Sequence, residues 1–351
     1  MMKAKNNVCK RTKLDFSEPG SELLKEAYEL AAKVWAMAPW EKIRENQILG
    51  VLRADGRCRF FSVMGREGTH RAIAQFMSVA AYHRINAIDP HDNYDCMDAF
   101  FSTLQFQLAF GPADDLMKGE KERIKSVGMK FKNGAKPSFF SYMPGFEPWR
   151  LGADELKEYV EFAKIFIDFL ETHDANEVAA VEADYPGVSI WKEGKDGKWS
   201  LILDEDENRT AVPAEIPPEL IAEVQALPAN KKEYLEVGVF PIPMGKTPQG
   251  RGKMSRIILF VDGPSQFVRK VEMVESPDDT EFDWSPVCVK ILEVMQEFGN
   301  RPGHLAVFGK CAQAVMRTIC DEVFDDTEFM PNNPCDSAHE VFKLMSQQLG
   351  L

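Results

Sequence analysis

Cysteine is scarce in this sequence, and the cysteines that are present follow no regular pattern. Seven of them are spread over 351 residues, and no two form a Cys-x-x-Cys pair. Small secreted proteins held together by disulfides carry a denser and more regular set. We therefore expect reduced thiols, which indicates a cytoplasmic protein.

Long hydrophobic runs are also missing. The longest stretch without a charged residue is Ala99–Ala113, 15 residues that include Gln105, Gln107 and Pro112. A helix that spans a bilayer needs about 20 apolar residues. The basic N-terminus is not followed by the apolar segment of a signal peptide. The sequence thus predicts no membrane association.

An excess of positive charge is absent as well. Lysine and arginine number 42 against 55 acidic residues, a net charge of −13. A chain with this charge repels phosphate backbones, which argues against general nucleic-acid binding. The sequence does not identify a partner; a protein and a small anionic ligand both stay open.

The length favours two domains, since a typical domain has about 100–200 residues. Residues 1–18 form a basic tail that we predict to be disordered. Residues 19–176 then form an N-terminal α+β domain, and residues 187–351 a C-terminal mixed α/β domain. The boundary is placed in the small, acidic segment 175–186.

Hydrophobic periodicity predicts the first domain to be a helix-flanked, mostly antiparallel sheet. An Asp-Gly pair between two apolar runs is typical of a hairpin, and period-two alternation over Thr103–Phe110 predicts a half-buried strand. The predicted helices are 21–38, 69–82, 114–126 and 154–172, and the predicted strands are 47–52, 59–64, 103–110 and 138–143.

The second domain is predicted to be a mixed sheet that begins with a hairpin and alternates with helices. Pro241 and Pro243 indicate that strand 235–242 lies at a sheet edge, because proline cannot donate to a ladder. The other predicted strands are 188–191, 199–203, 256–261, 267–274 and 304–308, and the helices are 218–226, 285–299 and a last one that ends near 324. A helix between two strands favours a partly parallel sheet.

Several short motifs resemble an uncharacterised bacterial protein family. They are Pro39-Trp40, the segment 61–65, the segment 142–149 and Asn300-Arg301-Pro302-Gly303. The resemblance implies two paired domains of unknown function. It carries no activity, cofactor or catalytic residue.

The second half also resembles, more loosely, the ribonuclease-H-like topology, which begins with a strand hairpin and then alternates helix and strand. Asp262 would match that fold's first metal-binding aspartate, at the end of the first strand. The later strand that should end in a second acidic residue ends instead in Phe308-Gly309. Two-metal chemistry requires several converging carboxylates, so the match is incomplete.

A glycine-rich basic segment offers a candidate anion-binding surface. Its cations are Lys246, Arg251, Lys253 and Arg256, and no acidic residue lies between Met244 and Arg256. The segment is expected to be a mobile, solvated loop that binds anions weakly if it binds anything. Because it precedes the strand that ends at Asp262, it should lie at the opposite end of that strand. The two features are therefore not expected to share a site.

Other residues are candidates for chemistry or binding. Cys311 follows a strand, opens a predicted helix and stands beside Lys310, features that lower a thiol pKa; burial as a packing residue is the alternative. Trp40, Tyr142 and Trp149 adjoin Pro or Gly and either line a binding groove or pack in the core.

Three clusters have the residue types of metal sites without the full patterns. A calcium loop over Asp204–Glu215 has Arg209 where a turn glycine is required. Cys320, Cys335 and His339 lack a Cys-x-x-Cys half-site. His83, His91, Asp92 and Asp95 are better explained as turn residues. The sequence therefore predicts no metal and no cofactor.

Two functions remain open. The first is a cytoplasmic bacterial binding or interaction module without catalytic activity. The second is an enzyme that acts on a phosphorylated or nucleic-acid substrate through Asp262 and the basic loop. The sequence does not decide whether the protein is an enzyme.

Overall fold

The computed structural model describes residues 17–68, 70–79, 81–82, 103–180, 187–204, 216–275, 284–330, 333 and 335–349. They divide into two compact units. The first holds the described residues up to Asp204 except Pro144–Glu147, and the second holds Pro144–Glu147 with the described residues from 216 onward. Each unit has its own sheet and helices, which confirms the predicted two-domain α+β class.

The first unit is built on an eight-stranded sheet. Its strands are β1 (Leu49–Leu52), β2 (Cys58–Met64), β3 (Arg71–Phe76), β4 (Gln105–Gly111), β5 (Lys136–Tyr142), β6 (Trp149–Arg150), β7 (Val188–Glu193) and β8 (Trp199–Asp204). Its helices are α1 (Ser21–Met37), α2 (Glu120–Ser126) and α3 (Ala153–Thr172). The strand order is β6-β5-β4-β3-β2-β1-β7-β8.

Every neighbouring pair in this sheet is antiparallel except β1 and β7, as the alternating sequence predicted. Helices α1 and α3 pack against it through aromatic side chains. Phe166 stacks on Phe61 at 4.6 Å between ring centroids, and Tyr28 lies 5.7 Å from Phe139. Offset and tilted ring pairs add to the stability that area burial gives.

Two features of the first unit differ from the sequence prediction. Residues 71–76, predicted as part of a helix, form strand β3, because Ala72 and Phe76 face one side and Ile73 the other, and all three are buried. The β7–β8 hairpin, predicted to open the second domain, belongs to the first sheet, where β7 pairs in parallel with β1. The residues of a tight turn predict a hairpin, but they do not predict which sheet the hairpin joins.

The second unit is built on a five-stranded sheet. Its strands are β9 (Ala229–Lys246), β10 (Gly252–Asp262), β11 (Phe267–Glu275), β12 (Arg301–Val307) and β13 (Glu328–Phe329). Its helices are α4 (Pro218–Gln225), α5 (Ser285–Phe298), α6 (Lys310–Val323) and α7 (Asp336–Leu349). The strand order is β11-β10-β9-β12-β13, with β9, β10 and β11 antiparallel and β12 and β13 parallel to β9.

This mixed sheet is covered on both faces. Ile258 and Phe260 of β10 belong to one buried cluster, with α5 and α6, while Leu259 and Val261 belong to another, with α7. The alternation of β10 between two apolar clusters explains why its sequence is a continuous apolar run.

Strand β9 lies in the middle of the sheet rather than at an edge. The prediction failed because its two halves have different neighbours. Residues 235–237 pair with both β10 and β12, whereas Pro241 and Pro243 lie beyond the end of β12 and pair only with β10. Proline is thus placed where one side of the strand needs no donor.

No described helix has the length and apolarity needed to cross a bilayer. The predicted disordered tail lies almost wholly outside the described residues, which begin at Ser17.

Candidate functional site

The basic segment is a β9–β10 hairpin whose arginines are not on the surface. Lys246 and Lys253 are exposed, but Arg251 and Arg256 are almost completely buried. The four cations therefore do not form a solvated anion-binding patch. Charge patterning alone cannot reveal this, because a long arginine side chain is buried readily when its guanidinium finds partners.

Arg251 contacts the short segment Pro144–Glu147. Its guanidinium lies 5.2 Å from the ring centroid of Phe146, and its Nε donates to the main-chain oxygen of Glu147 at 2.8 Å. The N–H of Glu147 donates to Gly252 at 3.0 Å, and the N–H of Met254 donates to Gly145 at 2.8 Å. Arg251 and the start of β10 thus hold these four residues within the second unit.

Arg256 lies farther along β10, with its guanidinium 5.0 Å from the ring of Trp284. A cation against an indole face is stabilised by the ring quadrupole. Strand β10 runs 11 residues from Gly252 to Asp262, so about 33 Å separates the hairpin from Asp262. The basic hairpin and Asp262 therefore lie at opposite ends of the strand.

The three candidate aromatic residues do not line one groove. Trp40 is buried between Trp35 and Phe110, at 5.5 and 5.7 Å between centroids. Tyr142 and Trp149 are half-buried on opposite faces of the sheet, since Trp149 pairs with Ser141 and successive strand residues alternate. Burial raises the pKa of Tyr142 to about 12.

Asp262 lies in an open pocket of about 470 Å³ at one end of the second sheet. Strand β10 ends here, and β9, β11 and β12 begin here. The lining residues are Asn230, Lys232, Glu233, Asp262, Ser265, Phe267, Arg269 and Asn300. Asp262 accepts from the N–H of Ser265 at 3.1 Å and from its hydroxyl, so its carboxylate shapes the β10–β11 turn.

Charges of both signs line this pocket. Lys232 is exposed, while Arg269 forms an ion pair with the buried carboxylate of Glu233. The Arg269 guanidinium also lies 3.7 Å from the ring centroid of Phe298, and burial lowers its pKa. The Oδ1 of Asn300 is buried and has no hydrogen-bond partner among the described residues, which leaves an acceptor for a ligand's donor.

The pocket continues into strand β11, which forms one edge of the sheet. Within the described residues β11 pairs with β10 alone. Phe267, Val271 and Met273 are 68%, 44% and 49% exposed, large values for apolar side chains. A nine-residue edge with exposed apolar side chains is a template for another strand.

Most of the remaining candidates lie wholly or partly outside the described residues. Cys311 lies in the first turn of α6, but its side chain is outside the described residues, as are Glu215 and the clusters at 83–95 and 205–215. Burial raises the pKa of the Cys320 thiol to about 12 and also raises that of Cys335. No group of three metal-ligating side chains occurs in the part of the chain that is described.

Sequence reasoning missed the edge strand and the cations of the pocket. A strand over 267–274 was predicted from the turn before it, but not that it forms a sheet edge. Its position at a sheet edge depends on the strand order, which local patterning does not contain. Lys232 and Arg269 belong to no sequence motif that would have identified them as pocket residues.

Comparison with known families gives two matches. Residues 25–186 match the family described as Domain of unknown function (DUF7309), and residues 220–330 match Domain of unknown function (DUF6930). No curated protein and no solved structure matches the chain. The predicted pairing of two domains of unknown function is confirmed, and bacterial origin stays a prediction.

Proposed function

We propose that this chain, in which two segments match domains of unknown function, is a binding module without catalytic activity that takes up an extended polypeptide strand along β11. The observation that carries the proposal is the nine-residue edge strand, paired on one side among the described residues, with three exposed apolar side chains. Edge strands bind extended peptides through main-chain hydrogen bonds and discriminate through side-chain contacts.

The face of β11 that would contact such a strand is apolar for a structural reason. Val271 pairs with Leu259 and Met273 with Ile257, so both side chains stand on the face that α7 covers. Helix α7 packs against β9 and β10, and Val271 and Met273 remain exposed at its margin. A bound strand would remove these side chains from water, at about 25 cal/mol per Å² of apolar surface.

The pocket adds a means of selecting the bound strand. Phe267 pairs with Asp262, so it stands on the opposite face of β11 from Val271 and Met273, and it lines the pocket. A side chain near the end of the bound strand would meet the part of the pocket nearest β11, which Ser265, Phe267 and Arg269 line. The pocket therefore favours a polar side chain at that position, next to apolar side chains opposite Val271 and Met273.

The same proposal places the protein in the cytoplasm. Cys320 and Cys335 are free thiols, and both are buried. Unpaired thiols persist in a reducing compartment. This supports the location that the cysteine spacing predicts.

The test uses a phage library of random nine-residue peptides selected on the wild-type protein. We expect enriched peptides with alternating apolar residues, and we expect the double variant Val271→Lys/Met273→Lys to bind a selected peptide about tenfold or more weakly, since burial of each apolar side chain contributes about 1.5–3 kcal/mol. Calorimetric titration measures the affinities. Hydrogen exchange of the bound complex should show protection of Phe267–Glu275.

The matched control is Leu344→Lys, which places a lysine on an exposed apolar position of α7 rather than on β11. It should leave peptide affinity unchanged. Equal affinity of the β11 double variant and the wild type, or protection confined to another element, would show that β11 is not the binding site.

A second candidate function is the enzyme acting on a phosphorylated or nucleic-acid substrate. It draws support from the sheet order, because three antiparallel strands followed by alternating helices and parallel strands match the ribonuclease-H-like resemblance. The first strand is β9 rather than β10, so its carboxylate is Glu236 and not Asp262. Glu236 is buried and accepts the N–H of Ala338 at 3.0 Å, which ties it to the start of α7.

The two carboxylates are poorly placed to share a metal ion. Glu236 pairs with Val261, and Asp262 pairs with Leu235, so the two side chains point to opposite faces of the sheet. We expect no cleavage of RNA, DNA or an RNA–DNA hybrid with Mg²⁺ or Mn²⁺. Cleavage that is lost in both Asp262→Asn and Glu236→Gln would favour the enzyme.

A further inference from the structure

We infer that the strand bound by β11 is β11 of a second copy of this chain, so that two second units join their sheets through an antiparallel pair centred on Val271. The inference rests on the proposed function and names its partner. It derives from Lys270 and Glu272, which flank Val271 and come to lie opposite each other when the strand pairs with a reversed copy of itself.

The register follows from cross-strand geometry. With Val271 opposite Val271 of the partner subunit, Lys270 lies opposite Glu272 of the partner subunit, and the reverse pair forms by symmetry. Opposite charges directly across an antiparallel pair are stabilising, and like charges are destabilising. A pair centred on Lys270 or on Glu272 instead would place two identical charges against each other. The charges therefore favour the register centred on Val271.

The two charged side chains are already held on the correct face. Lys270 pairs with Phe260 and Glu272 with Ile258 in the ladder to β10, so both stand on the face that α5 covers. Lys270 contacts the carboxylate of Glu272 at 3.3 Å and that of Glu297 at 2.5 Å. Two copies would therefore bring two lysines and two glutamates into one alternating cluster.

The opposite face supplies the apolar part of the contact. Val271 would meet Val271 of the partner subunit, and Met273 would be covered at its flank. A single pair of edge strands buries less than a standard protein interface, and interfaces of that size are weak and transient. We expect a monomer–dimer equilibrium in the micromolar range.

The same charges explain how an exposed apolar edge avoids unspecific pairing. Charged side chains, lysine above all, protect edge strands from aggregation. Here Lys270 and Glu272 repel any strand that presents a like charge and accept one that presents the reversed order. An isologous contact also closes after two copies and cannot extend into a fibre.

Sedimentation velocity on the full chain tests the inference with two charge reversals. Lys270→Glu alone makes positions 270 and 272 both acidic in each strand, and Glu272→Lys alone makes them both basic. We expect each variant by itself to dimerise about tenfold or more weakly than wild type, because both cross-strand pairs become repulsive. An equimolar mixture should dimerise again, since each acidic strand then meets a basic one.

Recovery in the mixture also shows that both variants fold. Lys198→Glu, a charge reversal at a residue exposed in the β7–β8 turn, is the matched control and should dimerise as wild type does. The inference is overturned if the wild type stays monomeric up to high micromolar concentration, or if the mixture sediments as the separate variants do. In either case, peptide selection on β11 still decides the proposed function independently.

Discussion

Replacing Arg123 by methionine is expected to lower the free energy of unfolding of the first unit by about 3–5 kcal/mol at neutral pH, the cost of leaving a buried charge unpaired. Arg123 donates to the buried carboxylate of Glu120 at 3.1 Å and to Glu18 at 2.7 Å, and Tyr28 donates to Glu120 at 3.0 Å. Methionine keeps most of the volume and removes the cation. Urea unfolding measures the loss.

The loss should depend on pH. Burial raises the pKa of Glu120 above its ordinary value, and the charge of Arg123 opposes that rise. Without Arg123 the folded-state pKa rises further. A raised folded-state pKa favours folding at low pH and loses that contribution as pH rises through it. The deficit of the variant should therefore shrink as the pH falls from neutral toward the ordinary glutamate range.

Two variants serve as controls for this prediction. Adding Glu120→Gln to Arg123→Met should restore most of the stability, because a neutral amide needs no cation. Arg317→Met removes an exposed arginine that pairs with Asp321, and exposed pairs contribute about 0–1 kcal/mol. An Arg123 variant no less stable than the Arg317 variant would contradict the prediction.

Gly303→Ala is expected to destabilise the second unit by about 1–3 kcal/mol, as overpacking against a fixed neighbour does. A Cβ at Gly303 would lie 2.6 Å from the Cα and the oxygen of Lys231. These are main-chain atoms of β9, so no rotamer change relieves the contact. The register of β12 against β9 shifts at this point, and the strands would have to separate.

Hydrogen exchange is the direct measurement for Gly303→Ala. The amides of β9 and β12 should exchange faster, while those of the first sheet should keep their wild-type rates. Gly111→Ala is the matched control, because its Cβ would meet Asp115 at an ordinary 3.4 Å. Unchanged protection of β9 and β12 would show that the close approach is relieved at little cost.

The sequence predicted most elements of the fold but not their arrangement. Strongly periodic segments such as α3 and the β1–β2 hairpin are encoded by nearby residues, and the structure has them. The helix predicted at Thr69–Tyr82 failed over 71–76, because this strand is buried on both faces and the periodicity of such a segment cannot separate a buried strand from a helix. The central position of β9 depends on β12, more than 50 residues later.

The site could be predicted only in part. Asp262 was identified, and the structure places it in a pocket, but its carboxylate shapes the adjoining turn. Arg251 and Arg256 looked like an exposed basic patch, because the aromatic rings that bury them lie outside their own strand. The charged and apolar residues of β11 can be identified in the sequence. The role proposed for β11 depends on its edge position, and local sequence does not specify the strand order that sets this position.

The segment Pro144–Glu147 has a consequence for how the chain reaches its folded state during synthesis. It leaves the ribosome before any strand of the second sheet has been made, since its partner Arg251 lies 104 residues after Glu147. The second unit therefore cannot complete itself in the order in which it is translated, and must capture a stretch that emerged earlier. A fragment that begins at residue 220, the start of the second family match, would lack that stretch. Arg251 and Gly252 would then lose their hydrogen bonds to Glu147.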